Sequence, residues 1–102
     1  METYLVGKLS LLINETPIDL HPFKKEFIEQ TIGGMLAALK GTGMINDLEL
    51  TVEGDSVKIN LNGALVKLNA MTSKMIKATI IALVSTLEDV DEIKKLSIAI
   101  RK

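Results

Sequence analysis

The sequence contains no cysteine and no tryptophan, one histidine, one tyrosine and two phenylalanines in 102 residues. Without thiols there is no disulfide framework, no thiolate nucleophile and no sulfur ligand for a metal. A reducing, intracellular compartment is thereby permitted, and the expected location is cytoplasmic. Of the three aromatics only Tyr4 falls on a strand-like segment, whereas a nucleic-acid platform stacks bases on several strand aromatics. Neither sign of charge prevails, since twelve Lys and Arg stand against thirteen Asp and Glu for a net charge of −1. That balance produces no field to gather phosphate backbones or anionic lipid, so neither nucleic acid nor membrane is an expected partner. Long apolar runs are missing too. The longest uncharged apolar stretch, Ala78 to Leu87, has ten residues, where a bilayer span takes about twenty. The opening METYLVGKLS places an acid and a lysine within its apolar run, unlike a secretory signal.

What is present is the composition of a folded domain, with 47% apolar and 25% charged residues. The length suits one domain over residues 1–102. Sliding the chain against itself by 48 positions aligns residues 9–52 with 57–100 without a gap. Asn14 then meets Asn62, Leu20 meets Leu68, and Ile28, Thr31 and Ile32 meet Ile76, Thr79 and Ile80. Apolar positions such as Leu9, Leu11, Ile13, Leu50 and Val52 meet apolar residues throughout. A shared burial pattern is what a duplicated unit retains.

Each half reads as strand, turn, short strand, helix, strand. Leu5, Leu9, Leu11 and Ile13 alternate with Lys8 and Ser10, as a half-buried strand requires. Asn62-Gly63 is the dipeptide that most readily forms a type I′ hairpin turn. The first helix begins near His21 with Pro22 in its first turn. Its apolar stripe is read as Phe23, Phe27, Ile28, Ile32, Met35, Leu36 and Leu39. The second begins after an N-cap at Asn69, with Met71, Met75, Ile76, Ile80, Leu83, Val84 and Leu87 as the matching stripe. Closing strands follow at Leu48 to Val52 and Leu96 to Ile100. The expected fold is α+β: a two-layer sandwich in which two helices cover one face of a six-stranded mixed or antiparallel sheet. It is expected to be a tandem ββαβ repeat with pseudo-twofold symmetry. The alternation does not determine strand order.

Departures between the halves are where specialised chemistry is to be sought. Gly33-Gly34 in the first helix stands where the second has Ile81-Ala82, and a glycine inside a helix costs about 1 kcal/mol relative to alanine. One reading is steric, a shallow flank with Ala37 and Ala38 that admits the other helix. The other is a surface for a ligand or partner near Gly33, Gly34 and Gly41. The Gly41-Thr42-Gly43 run follows a helix, where outward carbonyls repel anions, so it reads as a C-cap rather than a phosphate cradle. Glu88 to Glu92 concentrates four carboxylates without calcium-loop spacing and reads as a solvated acidic loop. His21 has no serine or cysteine nucleophile at a recognisable motif, which leaves no catalytic residue, no metal ligand set and no cofactor to nominate.

On the open side of the sheet, Tyr4, Val6, Leu12 and Leu65 are the apolar interface candidates. The expected function is a small non-catalytic interaction or regulatory module, self-associating through the open sheet face or an edge strand, with a second copy or another protein as partner. The rival is a small-molecule sensor or minor enzyme with its site between the two repeats.

Overall fold

A computed structural model describes residues 4–5, 8–40, 44–45, 47–88, 90 and 92–101. In chain order the elements are β1 (Tyr4–Leu5), β2 (Lys8–Ile13), β3 (Thr16–Ile18), α1 (Pro22–Lys40), β4 (Met44–Ile45), β5 (Leu48–Glu53), β6 (Ser56–Leu61), β7 (Ala64–Leu65), α2 (Ala70–Glu88) and β8 (Lys95–Arg101). Six strands form one sheet in the order β3-β2-β8-β5-β6-β7. Every ladder in it is antiparallel. The fold is α+β, a six-stranded antiparallel sheet with two helices.

Alternation decides which side is buried. Leu9, Leu11 and Ile13 of β2, Leu96, Ile98 and Ile100 of β8, Leu48, Leu50 and Val52 of β5 and Ile59 of β6 are all buried. Register sets them in rows across the sheet: Leu11 stands opposite Ile98, Ile98 opposite Leu50, and Leu50 opposite Ile59. From α1, Ile28, Ile32 and Leu36 join this cluster, and from α2, Ile76, Ile80 and Val84. Both helices thus lie against the same apolar side. The other side shows Lys8, Ser10, Glu49, Glu53, Lys58, Asn60 and Arg101 to solvent. Each fully buried Leu or Ile contributes about 1.5–3 kcal/mol relative to exposure.

The first strand differs from its expected form. Leu5 does not continue into β2; β1 instead pairs in parallel with β4, Tyr4 opposite Met44 and Leu5 opposite Ile45, in a separate two-stranded ladder.

The helices also sit rotated from the stripe expected for them. Phe23 and Phe27 are 69% and 47% exposed, while Met71 and Met75 are 68% and 61% exposed. The reason is angular. At about 100° per residue, Phe23 lies nine positions and half a revolution from Ile32. A sequence run at spacings of three and four therefore wraps from one face onto the opposite one. Lys24, Lys25 and Glu29, which are not part of the expected apolar stripe, are half-buried.

The β2–β3 and β6–β7 hairpin turns each use two residues in the left-handed region, Asn14 (φ 50°) with Glu15 (φ 68°), and Asn62 (φ 50°) with Gly63 (φ 84°). That is the requirement of a type I′ turn. The Asn69 carboxamide oxygen accepts the amide of Thr72 at 2.8 Å, so Asn69 caps α2 as expected. At the start of α1, His21 supplies a carbonyl to Lys25 at 2.9 Å, as Asn69 does to Ser73 at 3.0 Å.

Candidate functional site

The residues singled out in the sequence do not converge. Gly33 is buried within α1, whereas Gly34 is exposed, and a methyl group added to Gly34 would meet nothing within 4 Å. Gly34 therefore takes no part in close packing. Gly41 and Val6 lie outside the described residues. Tyr4 belongs to β1, in the separate ladder with β4. Leu12 is half-buried on the open side of β2, opposite Ser97 of β8. Leu65, 64% exposed, sits on the two-residue edge strand β7. Among the described residues no group of three or more His, Asp and Glu side chains could hold a metal ion.

Ion pairs occupy much of the charge. On the open sheet face Arg101 reaches Glu49 at 3.0 Å. At one end of the helix layer, Lys24 in the first turn of α1 lies 3.3 Å from Glu88 in the last turn of α2. Each charge thereby faces the opposite helix terminus whose partial charge it complements. This contact sets the first turn of α1 beside the last turn of α2, so the helices run side by side in opposite directions.

A third pair joins Lys77 of α2 to Asp55 in the β5–β6 turn at 2.8 Å. The hydrogen bond from Lys77, and then its charge, holds the Asp55 carboxyl below the usual range against a lesser desolvation, with a still smaller pull from Lys74. Glu29 moves the other way: burial raises its carboxyl, Lys25 pulls it down, and Glu26 pushes it up.

The Asn14 side chain makes three hydrogen bonds. Its oxygen accepts the amides of Lys94 at 2.7 Å and Lys95 at 3.0 Å, and its nitrogen donates to the carbonyl of Glu92 at 3.2 Å. Its backbone amide also donates to Lys95 at 2.8 Å. At the other turn, Asn62 donates its amide to Asp47 at 2.7 Å and its side-chain oxygen accepts the Asp47 amide at 3.1 Å. These contacts tie each hairpin turn to the entry of a central strand and serve structure rather than chemistry.

What the structure gathers instead is an apolar outer helix layer. A groove of about 960 Å³, half open to solvent, runs along α2 past Met71, Lys74, Ala78 and Ala82 to Asp55. A smaller one on α1 is lined by Phe23, Glu26, Phe27 and Gln30. Neither involves Gly33 or Gly34. By length and composition α2 is apolar enough to cross a membrane, with mean hydropathy 1.3 over an 18-residue window, 17% of it buried. It nevertheless packs on the sheet through Ile76, Ile80 and Val84. The sequence signal for the outer layer was present in the half-revolution between Phe23 and Ile32, and again between Met71 and Ile80. Compared with known proteins, the chain matches no family model, no curated sequence and no solved structure.

Proposed function

We propose that the chain is a tandem ββαβ repeat with a pseudo-twofold axis, and that it works as a non-catalytic, self-associating protein-interaction module in the cytoplasm. Register supports the repeat. The β2–β8 ladder pairs Leu9 with Ile100, Leu11 with Ile98 and Ile13 with Leu96. Raising the first number of each pair by 48 and lowering the second by 48 gives Val57 with Val52, Ile59 with Leu50 and Leu61 with Leu48, which are partners in the β6–β5 ladder. The same shift relates α1 to α2 and the turn at Asn14 to that at Asn62.

The observation that carries self-association is the exposure of five large apolar side chains among the described residues, Phe23, Phe27, Leu65, Met71 and Met75, because apolar groups gathered on a surface mark a site of protein contact. In keeping with a non-catalytic role, Gly33 and Gly34 of α1, Leu12 of β2 and Leu65 of β7 belong to three different elements. A cysteine-free chain needs no oxidising compartment to fold, in keeping with a cytoplasmic setting.

Sedimentation over a wide concentration range tests the reading, with a dimer or higher species expected. A chain that stays monomeric throughout removes it. Leu12→Lys and Leu65→Lys then show whether the open sheet face or the β7 edge holds the copies together.

A further inference from the structure

We infer that the outer helix layer, rather than the sheet face or an edge, is the surface on which a second copy of this chain docks, α1 of each copy lying antiparallel on α2 of the other. The inference rests on the self-association proposed above and assigns it a place. Four of the five large apolar side chains that stand exposed among the described residues are there: Phe23 and Phe27 on α1, Met71 and Met75 on α2. The alternatives offer less. The open sheet face is mostly charged or hydroxylated, β3 has three residues with Pro17 in the middle, and β7 has two, a pattern that resists edge-to-edge pairing. Side by side, two 19-residue helices present a patch of about 28 by 20 Å, comparable with the area one partner brings to a standard interface.

Size and charge select the arrangement. On each helix the large side chains occupy the first half of the outer face and small residues the second: Gly34 and Ala38 on α1, Ala78 and Ala82 on α2. The helices run oppositely within one copy. A second copy turned about an axis parallel to them therefore lays the Phe23–Phe27 half of α1 over the Ala78–Ala82 half of α2, and the Met71–Met75 half of α2 over the Gly34–Ala38 half of α1. Large meets small, as close packing needs. Equivalent outer positions also carry opposite charges, Glu26 on α1 and Lys74 on α2, both exposed. Laying α1 on α2 brings Glu26 of one copy to the same flank as Lys74 of the other. Laying α1 on α1 would oppose Glu26 to Glu26 and phenyl to phenyl. The grooves carry both signs of charge, Glu26 on one and Asp55 with Lys74 and Lys77 on the other, and a mixed border favours a protein over an anionic lipid surface.

The exposure of Met75 makes Met75→Lys a variant that keeps the fold, and circular dichroism checks that it does. Sedimentation of this variant is expected to show dimer dissociation strengthened about tenfold or more, the scale of losing one buried anchor, with Leu12→Lys unchanged. The lack of native cysteine provides a second, independent arm. Mixing Phe27→Cys with Ala78→Cys under oxidation is expected to yield a disulfide-linked pair that neither variant forms alone, since bridging needs Cα atoms within about 7 Å. A dimer broken by Leu12→Lys or Leu65→Lys but indifferent to Met75→Lys overturns the helix-layer inference and leaves self-association standing. A strict monomer overturns both. Co-sedimentation of monomer with phosphatidylcholine–phosphatidylglycerol vesicles, abolished by Met75→Lys, assigns the face to lipid and overturns the second-copy occupant.

Discussion

Two glycines and one asparagine show how far a residue's backbone and surroundings determine its effect. Gly34 lies inside a helix with open space where a Cβ would go, while Gly63 has φ 84° in a turn. The same substitution should therefore act with opposite signs. Gly34→Ala is expected to stabilise by about 0.5–1 kcal/mol through helix propensity, and Gly63→Ala to destabilise by about 1 kcal/mol through left-handed strain. Urea denaturation of both reads the contrast, and equal signs would refute it. Asn14→Ala removes three side-chain hydrogen bonds that tie the first turn to the segment entering β8. A loss of about 1–3 kcal/mol is expected, seen as a melting temperature lower by roughly 4–8 °C for each kcal/mol. Charge at Asp55 obeys a definite sign. Its carboxyl is depressed chiefly by the hydrogen bond from Lys77, so the associated stabilisation exists above the ordinary unfolded value and disappears as pH falls through the lower folded one. Glu29, raised by burial, does the reverse: its contribution is complete below the ordinary value and is lost as pH rises through the raised one. Carboxyl titration by NMR should find Asp55 titrating at lower pH than Glu29, and Lys77→Met should return Asp55 to its ordinary range.

At the scale of elements, the strands were legible because one aliphatic face repeats every second residue in β2, β5 and β8. Helix position was legible from Pro22 and Asn69, but helix rotation was not. Phe23, Phe27, Met71 and Met75 have the chemistry of core residues, and only their angular distance from Ile32 and Ile80 assigns them outward. With the phenyl and thioether groups counted as core, the open strand face held the remaining apolar side chains, and the interface candidates were read there. A pair of truncations separates the two faces of α1. Ile32→Ala, at a fully buried position, should cost about 2–5 kcal/mol, whereas Phe23→Ala should leave monomer stability nearly unchanged despite deleting the larger side chain. Chemical denaturation at low protein concentration, where association does not contribute, makes the comparison. A large loss at Phe23 would return the ring to the core and withdraw the outer surface.

For the whole molecule, the order β3-β2-β8-β5-β6-β7 has a consequence that no local pattern reveals. The strand closing the first half, β5, does not lie beside β2, because β8 from the second half stands between them. Likewise β8 is separated from β6 by β5. Three of the five ladders in the main sheet, β2–β8, β5–β8 and β5–β6, therefore join the first half of the chain to the second. Strand order was illegible in sequence for this reason, since it depends on pairing across long chain separations. Neither half owns a continuous sheet, and each would leave β-edges and an apolar face uncovered if separated. Severing the chain in the β5–β6 turn, between Gly54 and Asp55, cuts no ladder and leaves the Lys77–Asp55 pair within one fragment. Fragments 1–54 and 55–102 should consequently combine into a folded one-to-one complex with the sheet and helix content of the intact chain. Each alone should give no folded monomer, because the ladders that close its strands belong to the other half. Circular dichroism with sedimentation of the separate and mixed fragments decides the matter. A cooperatively unfolding monomer from either fragment would show that a half closes on itself, contrary to the exchanged order of β5 and β8.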